Sequence, residues 1–180
     1  PRLQLPSDRP RPDEQLSRGR HVDVSFDEQI MQPFVALCRS AGATLNSGVL
    51  AMTAALMCEL SGQADVVIGL PHSLRHAEAL EPVVGMFINT LPLRLSAPAD
   101  GSDATDAVRA AQLLVGRALQ HGHVAFHRIV AAHGANRSAD HSPLFQLLFQ
   151  LSTAETAEEE AAGGGVDEPT VKTDLEFQLS

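Results

Sequence analysis

The stretch Val84-Gly-Met-Phe-Ile-Asn-Thr-Leu-Pro-Leu-Arg94 joins a short loop to a run of apolar residues. The apolar run predicts a β-strand over residues 87–95, in which Pro92 marks either a bulge or the edge of a sheet. Asn89 and Thr90 are expected to bond nearby backbone groups and so to shape the beginning of the strand. The stretch therefore predicts one strand of a sheet whose entry is held by polar side chains.

Strands and helices alternate on both sides of this stretch. A continuous apolar run over residues 66–70 is typical of a central strand that is covered on both faces. Periodicity and capping residues predict the other elements, which are strands over 21–26, 144–151 and 170–179, helices over 28–41, 44–60 and 125–132, a helix from Asp103 or Thr105 to 120, and a helical turn over 81–85. The alternation predicts an α/β fold, a two-layer sandwich with helices mainly on one face of the sheet.

Two predicted elements carry apolar faces that assign them to the core. In the strand over 21–26, Val22, Val24 and Phe26 alternate with polar residues, which predicts one buried face. The helix over 44–60 is apolar on two faces. One face has small side chains that permit close packing, and the other carries the larger Val49, Met52, Leu56 and Leu60.

The composition predicts one globular domain. The chain has 180 residues, of which 44% are hydrophobic and 19% charged, and this is enough to bury a core. A net charge of −9 argues against binding to nucleic acid or to an anionic membrane surface, because both need cationic patches. No apolar run reaches the roughly 18 residues of a membrane span. Cys38 and Cys58 form no disulfide framework, which favours a reducing cytoplasm.

Two segments have the composition of loops. Residues 1–20 are polar and rich in proline, which predicts an extended linker. Residues 153–167 are acidic and contain Gly163-Gly-Gly165. They predict a disordered, mobile loop, because they offer too little apolar surface to order themselves.

The stretch from Val84 to Arg94 resembles the Ile-Gly-x-Phe-Val-Asn-Thr-x-x-x-Arg signature of condensation domains in nonribosomal peptide synthetases. Further elements of that family match in order and spacing over nearly the whole chain, and they are Leu5-Pro-Ser-Asp-Arg-Pro-Arg-Pro12, Gly62-Gln-Ala-Asp-Val-Val-Ile-Gly-Leu-Pro-His-Ser-Leu-Arg75, Asn136-Arg-Ser-Ala-Asp-His-Ser-Pro-Leu-Phe-Gln146 and Thr173-Asp-Leu175. The chain is similar to the C-terminal lobe of such a domain. Residues 1–20 would be the inter-lobe linker and residues 21–180 the lobe.

The resemblance implies a lobe like a chloramphenicol acetyltransferase subunit, with a mixed sheet. It implies that the complete domain forms an amide bond between a donor, held as a thioester on an acyl or peptidyl carrier protein, and an acceptor on an aminoacyl carrier protein. The phosphopantetheine arms of the two carriers would enter a channel between this lobe and an N-terminal condensation lobe. The lobe would bind no cofactor directly, and would supply a channel wall and a carrier-docking surface.

The resemblance also implies roles for single residues. The family's catalytic pattern, His-His-x-x-x-Asp-Gly, belongs to the N-terminal lobe, and no adjacent His pair occurs in this chain. No catalytic residue is therefore expected here, and the fragment should be inactive alone. Arg75 would pair with the aspartate of that pattern and lock the lobes together, the alternative being an exposed loop arginine. The other motif residues, which build the structure or line the channel, are Pro71, Gly85, Phe87, Asn89, Thr90, Arg94, His121, Phe126 and Pro143.

The segment His121-Gly-His-Val-Ala-Phe-His127 departs from the family element His-x-x-x-Pro-Phe-Glu, because Ala125 and His127 replace its Pro and Glu. The departure leaves open the alternative that the chain comes from a degenerate, non-catalytic relative, which serves as a scaffold or carrier-docking module. A stand-alone acyltransferase that completes its site by trimerising is a third class, and the missing His pattern argues against it.

Two histidine pairs have the spacing of a helical zinc site. They are His123 with His127 and His72 with His76, each at positions i and i+4. Neither pair lies in a His-Glu-x-x-His frame, and both cysteines are elsewhere. The sequence therefore predicts no metal site.

Overall fold

The structure, a computed structural model, describes residues 2–8, 10, 19–98, 101–134, 141–151 and 173–179. Its elements in chain order are α1 (Glu28–Ser40), α2 (Leu45–Ser61), β1 (Asp65–Ser73), a 3-10 helix (Glu78–Leu80), β2 (Ile88–Ser96), α3 (Ala104–Gln120), α4 (Phe126–His133), β3 (Leu147–Leu151) and β4 (Leu175–Leu179). The acidic loop over 153–167 and residues 11–18 of the predicted linker lie outside the described residues.

The four strands form one mixed sheet in the order β2-β1-β3-β4. β1 pairs with β2 in antiparallel orientation, whereas β1 with β3 and β3 with β4 are parallel. The face toward α2 and α3 holds the fully buried core, which includes Leu50, Ile68, Leu93, Val108 and Leu147. On the opposite face, Val67 and Leu148 are only half-buried. This arrangement confirms the predicted α/β two-layer fold.

Polar caps and glycines set the ends of the long helices where the sequence predicted them. The Ser47 N–H donates to Oγ1 of Thr44 at 3.2 Å and so begins α2, which ends at Gly62 with a φ of 66°. The Thr105 N–H donates to Oδ1 of Asp103 at 3.3 Å at the start of α3. These local signals fix both helices within about a residue of the prediction.

The helices α1 and α2 approach each other closely at Gly48. A Cβ at this position would lie 2.3 Å from Sγ of Cys38 and 3.1 Å from Cζ of Phe34, so only glycine permits this packing. The helix α1 continues through Pro33 from Glu28 to Ser40. Among the described residues no single helix is long and apolar enough to cross a membrane, and α1 and α2 pass that test only as a pair bent by 106°.

The strand predicted over residues 21–26 is absent. These residues are exposed and pair with no strand of the described sheet. An alternating pattern specifies which side of a strand is apolar, but a strand also needs a neighbour whose backbone groups can bond to it. The prediction of a half-buried strand is therefore wrong for the part of the chain that the structure describes.

Of the two apolar faces of α2, the structure buries the one whose small side chains were predicted to permit close packing. Met52, Leu56 and Leu60 are exposed, and the helix packs through the smaller side chains of Ala51 and Ala54 instead. A helix that is apolar on all sides gives no periodic signal to choose between faces. The small side chains allow α2 to lie closer to β1 and α3, and this close packing decides the orientation.

Smaller differences concern strand and turn boundaries. The helical turn predicted over 81–85 lies earlier, at Glu78–Leu80. Pro92 marks the edge of the sheet without a bulge, because the register of β2 against β1 is continuous through it. β3 begins later than predicted, at Leu147. β4 covers Leu175–Leu179, and residues 170–172 of the predicted last strand lie outside the described residues.

The beginning of the chain contacts the folded body. Leu3 is buried, and its N–H donates to Oε1 of Gln146 at 2.8 Å. The Gln4 N–H donates to Oε1 of Gln63, whose Nε2 donates to the carbonyl of Arg2. The division into a linker over 1–20 and a lobe over 21–180 stays a prediction.

Replacement of two helical glycines by alanine should have opposite effects on stability. Gly48→Ala should lower the free energy of unfolding by about 1–3 kcal/mol, because the new Cβ overlaps Cys38 in a packed core. Gly116→Ala in α3 is the matched control: its Cβ would meet nothing within 4 Å, so the helical propensity of alanine should raise stability by about 0.5–1 kcal/mol. Urea unfolding measures both, and effects of the same sign would contradict the packing described.

Candidate functional site

The side chain of Asn89, at the beginning of β2, holds the segment between α3 and α4. It is buried, and its Nδ2 donates to the carbonyls of Gly122 and Val124, each at 2.8 Å. Its Oδ1 accepts from the Phe126 N–H at 3.1 Å. The N-cap residue of α4 is Ala125, which has no side-chain cap, so Asn89 supplies the cap from another element. We call this set of three hydrogen bonds the Asn89 clamp.

The end of β1 packs against the same segment. His72 lies opposite Asn89 in the sheet register. A Cβ on Gly122 would lie 2.7 Å from Cδ2 of His72, so the segment can approach β1 only because residue 122 is glycine. Burial, and then the neighbouring His76 with ring centroids 5.3 Å apart, lower the pKa of His72. Both effects favour the uncharged form of its imidazole.

Aromatic packing brings in the segment before β3. The rings of Phe126 and Phe145 have centroids 5.5 Å apart. The Phe145 ring also lies over Gly69 of β1, where a Cβ would be 2.6 Å from Cε2 of the ring. Pro143, two residues earlier, is half-buried. Motif residues from four separate parts of the chain are therefore brought together around β1 and the beginning of β2.

Arg75 closes the loop between β1 and β2. Its guanidinium donates to the carbonyls of Leu80, of Glu81 at 3.4 Å and of Gly85 at 3.3 Å. It also lies 4.3 Å from the centre of the Phe87 ring. Among the described residues its contacts are thus with carbonyl oxygens and an aromatic face, and they fix the course of the loop.

This loop displays apolar side chains to solvent. Val84 is 99% exposed and Met86 89% exposed. We call the four exposed residues the apolar strip, and they are Val83, Val84, Met86 and Ile88. The apolar run over 87–95 predicts that Phe87 and Ile88 both enter the core, but Ile88 is exposed and Phe87 is half-buried. The exposed position of Ile88 follows from alternation in β2, because its neighbour Asn89 points inward.

The remaining motif residues have mixed surroundings. Pro71 and Thr90 are half-buried partners across β1 and β2. Arg94 is exposed and forms an ion pair with Asp65 at 2.6 Å, and this hydrogen bond lowers the pKa of the Asp65 carboxyl. Arg94 is therefore a solvated residue near the end of β2. His121 is exposed, at the end of α3.

The helical spacing considered for a zinc site does not exist in the structure. His123 precedes α4, and His72 lies in β1, so neither pair shares a helical face. Within the described ranges, no three His, Cys, Asp or Glu side chains are placed to hold a metal ion together.

The sequence did not predict that the Asn89 side chain bonds to a distant segment of the chain. It predicted bonds to local backbone, whereas the partners lie 33, 35 and 37 residues along the chain. It also gave no role in packing to Gly122 and Gly69. The sequence offered one signal of this contact: α4 is short and its N-cap residue, Ala125, has no side-chain acceptor, so its first N–H groups need an acceptor from another element.

Comparison with known proteins identifies the family. The family model described as Condensation domain matches residues 1–180. Malpinin synthetase of Mortierella alpina is 35% identical over 184 residues, covering 98% of this chain and 2% of that protein. The complex of the X-domain and OxyB from teicoplanin biosynthesis matches with 28% identity and a TM-score of 0.77, over 83% of this chain and 33% of that one. Holo-AB3403, a four-domain nonribosomal peptide synthetase bound to AMP and glycine, matches with 25% identity and a TM-score of 0.79. The match covers 92% of this chain and 13% of that one.

The chain belongs to the condensation-domain family of nonribosomal peptide synthetases. This confirms the resemblance found in the sequence, together with the acetyltransferase-like fold that it implied. The chain spans only a small part of the curated relatives that it matches, 2% of Malpinin synthetase.

Loss of the Asn89 clamp should destabilise the lobe. Asn89→Ala removes three hydrogen bonds, two of them to carbonyls that lose their partner, and should lower the free energy of unfolding by about 2–4 kcal/mol. Asn89→Asp should be at least as harmful, because a carboxylate cannot donate to the carbonyls of Gly122 and Val124. Thermal unfolding and hydrogen exchange of the Phe126 amide measure the effect.

The neighbouring residue provides a control for this experiment. Thr90→Val keeps the side-chain shape and breaks no side-chain hydrogen bond within the described part of the chain, so stability should change little. If the two Asn89 variants were as stable as Thr90→Val, the clamp would have no energetic importance.

Proposed function

We propose that this chain is the C-terminal lobe of a condensation domain that joins a carrier-bound thioester donor to a carrier-bound aminoacyl acceptor. The observation that carries the proposal is the meeting of the family's motif residues around β1 and the beginning of β2. There Asn89, Phe126, Phe145 and Gly69 form one packed unit beside the apolar strip. Such a unit is suited to hold one wall of a channel rigid.

The reaction makes modest chemical demands on this lobe. The acceptor amine attacks the thioester carbonyl carbon, the C–S bond breaks, and the amine proton finally passes to the departing thiolate. A thioester is already activated, and holding two tethered reactants together can lower a barrier by roughly 7–11 kcal/mol in ideal cases. The lobe contains no adjacent His pair, so the proton-accepting group would come from the N-terminal lobe. The phosphopantetheine arms would belong to the carrier proteins, and the lobe would offer wall and docking surface.

The apolar strip is the surface that we assign to contact with the N-terminal lobe. Nearly complete exposure of Val84 and Met86 is unfavourable in water, and burial of such side chains yields about 1.5–3 kcal/mol each. The loop is held open by Arg75 and so cannot fold these side chains back onto its own lobe. A partner surface is therefore needed to cover them.

Arg75 can serve both its own loop and the partner lobe. A guanidinium has more N–H donors than the carbonyl contacts of Leu80, Glu81 and Gly85 use. The rest remain able to bind a carboxylate. The predicted ion pair between Arg75 and the aspartate of the family's His pattern is compatible with this geometry.

A charged substitution in the apolar strip should stop amide formation by the complete domain. Val84→Glu with Met86→Glu would place two carboxylates in the interface, and should weaken binding of a separately produced N-terminal lobe by about 100-fold or more. The matched control is Leu113→Glu, since Leu113 is a 57% exposed apolar residue in α3, away from the strip. Gel filtration reports lobe association, and amide formation from loaded carrier proteins reports activity.

The outcomes of this experiment distinguish the alternatives. Residues 1–180 alone should form no amide, and the complete domain carrying the control substitution should remain active. If the strip variant retained both lobe association and amide formation, the assignment of the strip would be wrong.

Comparison of two Arg75 variants in two chains should separate its two roles. In residues 1–180, Arg75→Ala removes only the loop contacts. In the complete domain the same change should lower the free energy of unfolding by about 3–5 kcal/mol more, because it also leaves a buried aspartate unpaired. Arg75→Lys keeps the charge and should recover part of the difference between the two chains. Equal losses of melting temperature in both chains, with unchanged amide formation, would contradict the ion pair.

A non-catalytic binding platform is the second candidate. It is favoured by the likeness to the X-domain of teicoplanin biosynthesis, a structure solved in complex with OxyB. The replacement of Pro and Glu by Ala125 and His127 in the segment held by the clamp points the same way. Ala125 has a φ of −61°, the value that proline prefers, so the backbone of that segment is kept although the side chains differ. An N-terminal lobe with an altered His-His-x-x-x-Asp-Gly pattern would favour the platform.

A further inference from the structure

Residues 21–26 belong to no helix or strand of the structure, and their apolar side chains are uncovered. Val22 is 80% exposed, Val24 68% and Phe26 58%, and the polar residues between them are exposed as well. The segment leads directly into α1 through Asp27, whose backbone is extended with φ −64° and ψ 147°. In the first turn of α1 Ile30 is also exposed, so the apolar surface continues from the segment onto the helix.

The pattern is that of a strand with one buried face. Apolar side chains at every second position lie on the same side of an extended backbone, and the polar residues His21, Asp23 and Ser25 lie on the other. Pairing with a partner strand would remove Val22, Val24 and Phe26 from water. It would also give the backbone N–H and C=O groups of the segment hydrogen-bond partners. Among the described residues no strand pairs with this segment.

We propose that residues 21–26 are a β-strand that pairs with a strand supplied by the same condensation domain from outside residues 1–180. The chain covers 33% of the X-domain chain that it matches, so a domain of that size contains much more chain than these 180 residues. The segment is tethered to α1 at one end, and its partner strand therefore lies beside that helix, where it also covers Ile30. A second copy of this chain is a poorer partner, because a net charge of −9 on each copy opposes association.

Hydrogen exchange in the complete condensation domain tests the proposal. Backbone amides of residues 22–26 should exchange on the order of tenfold or more slowly than those of an unstructured peptide. In residues 1–180 alone the same amides should exchange at nearly the unstructured rate. Protection should not depend on protein concentration.

Two double variants with the same added charge test which side of the strand is buried. Val22→Asp with Val24→Asp should abolish the protection and lower the melting temperature of the complete domain. His21→Asp with Ser25→Asp, on the polar side, should leave both nearly unchanged. Val24→Ile should retain protection, because isoleucine is also β-branched and apolar. In residues 1–180 alone none of these changes should shift the melting temperature.

Three results would overturn the proposal. The first is exchange of residues 22–26 at the unstructured rate in the complete domain. The second is an equal loss of protection in both double variants, which would mean that neither side is specifically buried. The third is protection that grows with protein concentration, which would assign the partner strand to a second copy. The proposal does not depend on the amide-forming reaction, because a non-catalytic platform would need the same strand.

Discussion

The side-chain amide of Asn89 joins parts of the lobe that no local interaction could bring together. A helix of eight residues such as α4 is too short to form by itself, and its own N-cap residue, Ala125, offers no side-chain acceptor. Because Asn89 accepts from the first N–H of α4 and donates to two carbonyls before it, the helix begins where β2 dictates. The positions of His121 and Phe126 follow from that constraint.

Glycine contacts complete the same unit. Gly122 lets His72 approach, and Gly69 lets the Phe145 ring lie against β1. Each contact is closer than any side chain at the glycine would allow, so both glycines are required by packing and not by their backbone conformation. This region is thus built by one buried amide, two aromatic rings and two positions without a Cβ. Such rigidity would suit the channel wall that we propose.

The lobe presents apolar surface in places where an independent protein would hide it. The apolar strip is held outward by Arg75, and the segment over 21–26 pairs with no strand in the part of the chain that the structure describes. A third region, Met52, Leu56 and Leu60 on α2, is also exposed. Isolated exposed apolar residues are common, but contiguous ones mark contact surfaces. This distribution agrees with a chain that covers about a third of the domain structures of its family.

The sequence by itself determined the order of the elements, the ends of α2 and α3, the central place of β1 and the family. Caps such as Thr44 and Asp103, the glycine at 62 and the continuous apolar run of β1 are local signals that need no partner. Tertiary structure alone decided which face of α2 is buried, that Ile88 points outward and that Asn89 reaches α4. Those outcomes depend on how closely separate elements can approach, and a one-dimensional pattern does not contain that distance. The pattern over 21–26 shows the same limit, because a strand exists only where another strand lies beside it.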